Sequence, residues 1–134
     1  MDWKIAVAVR DDLEVWQKLN VTAFLVSGLG SAHPELIGEN YSDASGHTYL
    51  SMFAIPVLVF SGDAAGMERA FRRASERELS MSVYTHELFT TYNDTDNRAR
   101  VAAVGTEELS LAGFAAAGER RAVDKVFDRL RLHP

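Results

Sequence analysis

The chain has 134 residues, of which 47% are hydrophobic and 25% are charged. This length and composition are those of one globular domain, and they exclude a disordered or fibrous protein. The net charge of −5 disfavours a general nucleic-acid-binding surface, and the absence of cysteine excludes disulfides and thiolate chemistry.

Segment lengths predict a protein of the cytoplasm. Apolar runs are shorter than about ten residues, whereas a membrane-spanning helix needs roughly 20. The residues after Met1 lead directly into a strand-like segment, with no pattern typical of a cleaved leader. We therefore expect no membrane segment and a cytoplasmic location.

The first two predicted elements are a strand and a long helix. Trp3–Val9 is almost continuously apolar, which is typical of a strand covered on both faces. Asp11 or Asp12 then caps a helix predicted over Leu13–Leu29, where two glycines supply the stop.

This first helix is predicted to be apolar on two sides. Trp16 and Leu19 share one face with Ala23 and Val26, while Val21 and Leu25 lie on the opposite side. A helix with this pattern is buried on both sides or is covered by a second subunit. The Val21 side therefore motivates a homodimer hypothesis.

The middle of the chain is predicted to form a turn, a strand and a helix. Asp43–Gly46 is typical of a turn, with Tyr49-Leu50 on the returning strand. Pro56–Phe60 predicts a second buried strand. Asp63 then caps a helix that continues to about Arg77.

The remaining segments continue the alternation. A strand is predicted over Ser80–Tyr84, a turn over Thr85–Phe89, a helix from the polar stretch Tyr92–Asn97 to about Val104, a strand over Leu109–Ala117 and a helix over Glu119–Leu130. Strands that alternate with helices predict one α/β domain over residues 1–134. We expect a three-layer α/β/α sandwich with a mixed, mostly parallel sheet of four to five strands.

Parts of the sequence resemble peptidyl-tRNA hydrolase type II. The segments Lys4–Leu13 and Gln17–Ala23 are similar to the first strand of that family, its Asp-Leu pair and its lysine-bearing helix. Val101–Gly118 and Val123–Lys125 resemble the final strand, glycine turn and closing helix. The resemblance implies the fold of these hydrolases.

A resemblance to a bacterial group, domain of unknown function 2000, covers nearly the whole chain. It is carried by the stretches VRDDLEVWQKLNVTAFL, HPELIGE, PVLVF, YTHELF and AVDKVFDRLRLHP. It implies a bacterial protein with the hydrolase fold and no settled activity.

The hydrolase resemblance also indicates which residues to compare. Lys18 is retained, but Gln17 precedes it where the hydrolases have glycine. The hydrolase Ala-Ala-Gln corresponds to Val21–Ala23, which includes Thr22, with Asn20 one step earlier. The hydrolase Asp-Ala-Gly-x-Thr loop corresponds to Thr85–Phe89, where Glu87 substitutes for the acid.

Polar residues follow three of the predicted strands. If these strands are parallel, their ends meet at one edge of the sheet, where α/β proteins bind ligands. We predict Lys18, His86 and Glu87 as tentative catalytic residues, because a lysine can stabilise an oxyanion while a histidine or glutamate activates water. The predicted ligand-binding residues are Arg10, Asp12, Asn20, Thr22 and Thr85.

Structural roles compete with each of these assignments. Lys18 lies four residues after Glu14, so an exposed helical ion pair also explains it. Asp11, Asp12 and Asp63 are explained equally well as helix caps. The arginines between Arg69 and Arg77 alternate with glutamates, which is typical of a solvated helix face.

The leading hypothesis is a protein of hydrolase-like fold that binds a small molecule or another protein at a crevice near Lys18. One alternative is an active peptidyl-tRNA hydrolase, and another is a non-catalytic homodimeric interaction module. The histidines are too scattered for metal-ligand spacing, and we expect neither a metal nor another cofactor. Nucleic acid and membrane are disfavoured as partners.

Overall fold

The computed structural model describes residues 2–134. The strands in chain order are β1 (Trp3–Arg10), β2 (Tyr41–Ser42), β3 (Thr48–Tyr49), β4 (Val57–Gly62), β5 (Ser80–Thr85), β6 (Leu111–Glu119) and β7 (Arg131–Leu132). The helices are α1 (Val15–Ala32), α2 (Ala64–Glu76), α3 (Asp94–Ala102) and α4 (Arg120–Phe127).

Five of the strands form one mixed sheet in the order β5-β6-β1-β4-β7. β1 is parallel to β4, whereas the β1–β6, β5–β6 and β4–β7 pairs are antiparallel. The predicted mixed sheet of four to five strands is confirmed, but antiparallel pairs predominate over parallel ones. This difference arises because β6 lies between β1 and β5 and runs antiparallel to both of them.

Alternate residues of β1 supply the cores on the two faces of the sheet. Ile5, Val7 and Val9 pack with the apolar face of α1. Ala6 and Ala8 contribute to the opposite core, which includes buried residues of α2 and α4. Every residue from Ile5 to Val9 is fully buried, as the continuous apolar run predicts.

The two apolar sides of α1 differ in exposure, and the exposed side is not the one that motivated the homodimer hypothesis. Val21 and Leu25 are buried against the sheet of the same chain. Trp16 and Leu19 are the exposed residues, at 60% and 68%. The argument for a dimer through Val21 and Leu25 is therefore wrong, because the sheet already covers them.

Several predicted boundaries are also wrong. The cap of α1 is Glu14, whose backbone N–H donates to Gln17 Oε1 at 2.9 Å, rather than Asp11 or Asp12. The helix continues through its glycines to Ala32. The last helix ends at Phe127 instead of Leu130, because the chain then turns to pair β7 with β4.

The predicted turn after the first helix is confirmed. Asp43 and Gly46 close it through a backbone hydrogen bond of 3.1 Å, and Gly46 adopts a φ of 85° that favours glycine. Tyr49 Oη donates to the Asp43 carboxylate at 2.7 Å across the turn. The resulting β2–β3 hairpin is a separate two-stranded sheet whose residues are exposed.

Candidate functional site

Three strands end at the same edge of the main sheet. β1 and β4 are parallel, and β5 shares their direction because both β1 and β5 are antiparallel to β6. The prediction of a common edge is therefore confirmed. The end of β5 is not directly beside the other two, since β6 lies between β5 and β1 in the sheet.

Lys18 lines a cavity of about 720 Å³ at the end of β4. We call this the Lys18 cavity. Its lining comes from the end of β4, the start of α2, two residues near the start of the chain, and the last residues of the sequence. The lining residues are Asp11, Lys18, Ser61, Gly62, Asp63, Ala65, Gly66, Arg69, Arg129, Leu130, Arg131, Leu132, His133 and Pro134.

Strand pairing brings the C-terminal segment to this cavity. Arg131 is the register partner of Ser61 in the β4–β7 pair, and His133 N–H donates to Val59 O at 2.8 Å. Leu130 packs so closely on Gly62 that a Cβ there would lie 2.7 Å from its Cδ2. A larger residue at position 62 would therefore require the Leu130 side chain to shift.

The cavity contains more cationic than anionic side chains. Lys18, Arg69, Arg129 and Arg131 all line it, and none of them forms a salt bridge within residues 2–134. The Glu14–Lys18 ion pair, which was the structural alternative for Lys18, is likewise not formed within residues 2–134.

One of the two lining carboxylates already has a structural role. Asp63 accepts a hydrogen bond of 2.8 Å from Gly66 N–H, which confirms the prediction that it caps α2. The other carboxylate is that of Asp11. Counting side chains alone, four cations and two aspartates line the cavity.

Arg10 and Asp12 lie outside this cavity and pair with each other. Arg10 Nη2 donates to Asp12 Oδ2 at 2.8 Å, and this hydrogen bond lowers the pKa of the Asp12 carboxyl. His86 contributes a smaller electrostatic lowering of the same pKa. Arg10 also lines a second cavity, of about 730 Å³, beside α2.

His86 is held at the start of a short helical turn, His86–Thr90. Its Nδ1 lies 3.1 Å from the carbonyl oxygen of Ser110 and 3.0 Å from Ser110 Oγ. The pKa of Glu87 is lowered, mainly by its own backbone N–H. Neither His86 nor Glu87 lines the Lys18 cavity, so the structure does not bring the three tentative catalytic residues together.

The remaining predicted ligand-binding residues have three different environments. Thr22 Oγ1 donates to the Lys18 carbonyl oxygen at 2.8 Å within α1. Thr85 is 1% exposed. Its hydroxyl has no hydrogen-bond partner within residues 2–134, although it contributes to the lowered pKa of the Glu87 carboxyl. Asn20 lies on another side of α1, in a pocket with Trp16 and Tyr84.

Sequence reasoning missed much of the wall of the Lys18 cavity. Arg69 belongs to the run interpreted as a solvated helix face, and Arg129 and Arg131 were not considered as site residues. The signal available in the sequence was the short basic segment Arg129–Arg131 that follows an amphipathic helix.

No group of three or more His, Asp or Glu side chains within residues 2–134 is arranged to hold a metal ion. None of the helices in the same range is both long enough and apolar enough to cross a membrane.

Comparisons with known proteins place the chain in a family without assigning an activity. A solved structure of a protein of unknown function from Agrobacterium tumefaciens strain C58 superposes with a TM-score of 0.97 at 39% identity, covering 100% of this chain and 99% of that one. No curated protein shows a significant match. The model of a family described as proteins of unknown function, DUF2000, matches residues 3–134, and the chain belongs to that family.

Proposed function

We propose that the protein binds a small anionic ligand, with a phosphate or carboxylate group, in the Lys18 cavity. The observation that carries this proposal is the presence of four cationic residues around the cavity, Lys18, Arg69, Arg129 and Arg131. Charge-assisted hydrogen bonds from lysine and arginine are the usual means of holding such groups.

The charge of the cavity wall contrasts with that of the whole chain. The chain has a net charge of −5, yet this wall carries four cations against the carboxylates of Asp11 and Asp63. The first turn of α2 also lines the cavity, and its Gly66 N–H is already satisfied by the Asp63 cap. A cavity of about 720 Å³ falls within the size range of small-molecule sites.

We also infer that the fold is related to that of peptidyl-tRNA hydrolase type II and that the protein acts in the bacterial cytoplasm. The retained Lys18 and the mixed sheet with helices on both faces support this relation. We favour ligand binding over hydrolysis of peptidyl-tRNA, because His86 and Glu87 do not line the cavity that contains Lys18. Turnover of a peptidyl-tRNA by the folded protein, lost in Lys18→Ala, would reverse that preference.

The binding proposal is tested by titrating the protein with inorganic phosphate, pyrophosphate and citrate at low ionic strength, with amide NMR shifts as the measurement. We expect saturable shifts at the start of α2 and around Arg131. Lys18→Ala should weaken binding about tenfold, as expected for loss of one charge-assisted contact. Lys125→Ala is the matched control, because Lys125 lies on α4 outside the cavity. Equal affinities in these two variants, or no saturable shift with any of the three anions, would refute the proposal.

Self-association is a second candidate, favoured by the outer surface of α1. Val15, Trp16 and Leu19 are 72%, 60% and 68% exposed. Contiguous exposed apolar residues are typical of interaction surfaces. Sedimentation velocity tests this alternative: it requires a dimer that Leu19→Glu dissociates, and a monomer at high micromolar concentration would eliminate it.

A further inference from the structure

A small pocket lined largely by aromatic residues lies on the side of α1 that carries Asn20. It has a volume of about 310 Å³ and lies between α1, the end of β5 with its following turn, and the start of α3. We call it the aromatic pocket, after its five aromatic lining residues Trp16, Phe24, Tyr84, Phe89 and Tyr92.

Four of these rings form one connected wall. Phe89 makes edge-type contacts with Trp16 at a centroid distance of 6.0 Å, and its ring is tilted against Tyr84 at 5.1 Å. Tyr84 meets Phe24 at 5.8 Å, also edge to face. These mutual contacts restrict the orientations of the four rings, so the wall is formed before any ligand arrives.

Much of this aromatic surface is accessible to solvent. Phe24 is 55% exposed and Tyr92 is 96% exposed, although both line a concavity. Exposed aromatic side chains around a concave surface are typical of ligand sites, because covering them removes apolar area from water.

The polar lining is mostly uncharged. No lysine or arginine among the described residues lines the pocket, and its single carboxylate, Asp94, already pairs with Arg98. The other polar groups include the amides of Asn20 and Asn97. The side-chain amide of Asn97 hydrogen-bonds with the Thr91 hydroxyl, which itself donates to the Leu88 carbonyl oxygen.

We propose that the aromatic pocket binds an uncharged heteroaromatic ring of the nucleobase class, presented by a free small molecule. Aromatic side chains stack on such rings, and carboxamides pair with the donors and acceptors on ring edges. The lack of lining cations disfavours an anion, and the net charge of −5 disfavours a nucleic-acid strand. The volume suits one ring system. The proposal is independent of the anion site, whose lining residues are different.

The test uses the nucleosides adenosine, guanosine, cytidine and uridine as uncharged probes. The chain has two tryptophans, so one NMR spectrum reports Trp16 in the pocket and Trp3, outside it, as an internal reference. We expect at least one nucleoside to shift the Trp16 indole N–H saturably while leaving that of Trp3 unchanged. No saturable Trp16 shift with any of the four, or an equal shift at Trp3, overturns the proposal.

Two tyrosine variants provide the matched comparison. Tyr92→Ala removes a pocket residue that is almost fully exposed, so the fold is expected to tolerate it. It should weaken binding about tenfold, as expected for loss of one stacking contact. Tyr41→Ala changes an exposed tyrosine outside the pocket and should leave the dissociation constant unchanged. Equal dissociation constants in the two variants would overturn the assignment.

Adenosine monophosphate separates this pocket from the anion site. Because no cation among the described residues lines the aromatic pocket, the nucleoside that binds (adenosine, for instance) and its monophosphate are expected to shift Trp16 with the same dissociation constant. Tighter binding of the monophosphate that persists in Lys18→Ala would overturn the neutral character proposed for the pocket.

Discussion

The Arg10 guanidinium donates a hydrogen bond of 2.8 Å to the carboxylate of Asp12, two residues further along the chain. The neighbouring Asp11 has a different environment, since it lines the Lys18 cavity. Two adjacent aspartates at the end of one strand therefore belong to different surfaces. Neither is the helix cap that the sequence predicts, because α1 begins after Glu14.

Removal of the Arg10 guanidinium is expected to raise the pKa of Asp12. The hydrogen bond from Arg10 is the main cause of the lowered pKa, so in Arg10→Gln the value should return toward the ordinary one of about 3.9. A lowered folded-state pKa stabilises the fold above the unfolded-state pKa, and this contribution is lost as the pH falls through the folded-state value. The variant should lack that part of the acid dependence. Carboxyl-carbon NMR titration measures the pKa directly.

Arg98→Gln is the control for this experiment, because Arg98 pairs with Asp94 on α3 and not with Asp12. An Asp12 titration that is the same in Arg10→Gln and in the unmodified protein would contradict the role assigned to the guanidinium.

Leu25→Ala and Leu19→Ala make the same chemical change on opposite sides of α1. Leu25 is 1% exposed, so its truncation should lower the free energy of unfolding by about 2–5 kcal/mol. Leu19 is on the exposed side, and its truncation should change that free energy by no more than about 0.5 kcal/mol. Urea unfolding curves measure both. A large loss in Leu19→Ala would indicate that a second subunit covers the outer face.

The two sides of α1 show what the pattern of the sequence specifies. Helical periodicity places Val21 and Leu25 on one side and Trp16 and Leu19 on another, and both sets are apolar. Periodicity does not predict which side of the helix packs on the sheet when both sides are hydrophobic. That choice depends on packing: Val21 fits above a glycine of β6, which only the assembled sheet reveals.

Gly113 in β6 provides this close packing and should not tolerate a side chain. A Cβ at this position would lie 2.8 Å from the Ala8 carbonyl oxygen and 2.8 Å from Val21 Cγ1. Because one neighbour is backbone and the other is buried, Gly113→Ala should lower the free energy of unfolding by about 1–3 kcal/mol. Thermal unfolding followed by circular dichroism measures the loss.

Gly28→Ala is the opposite case on α1. Its added Cβ would meet only Ser82 Cβ at an ordinary 3.5 Å, within a helix that continues on both sides. Alanine has the higher helix propensity, so this variant should be neutral or more stable by up to about 1 kcal/mol. A lower stability for Gly28→Ala than for Gly113→Ala would contradict the packing described for α1 and β6.

The candidate site was less predictable than the fold. Strand and helix positions follow from local periodicity, and the common edge of β1, β4 and β5 follows from their directions. The pairing of Arg131 with Ser61 joins residues far apart in the chain through a strand of two residues, which carries almost no periodic signal. The group of cationic residues that lines the Lys18 cavity can therefore be recognised only from the folded structure.

Replacement of Asn20 by alanine should raise the pKa of the Tyr84 phenol further. Burial raises this pKa, and the neighbouring Asn20 side chain partly offsets the effect by stabilising the phenolate. Asn20→Ala removes the offset. Because the folded-state pKa lies above the ordinary value of about 10, the free energy of unfolding should fall as the pH rises from that value through the folded-state pKa.

Titration of the tyrosine Cζ resonances by NMR distinguishes Tyr84 from the exposed tyrosines. Asn40→Ala, at an exposed position outside the aromatic pocket, should leave the Tyr84 titration unchanged. An unchanged Tyr84 pKa in Asn20→Ala would remove the contact that links Asn20 to the aromatic wall.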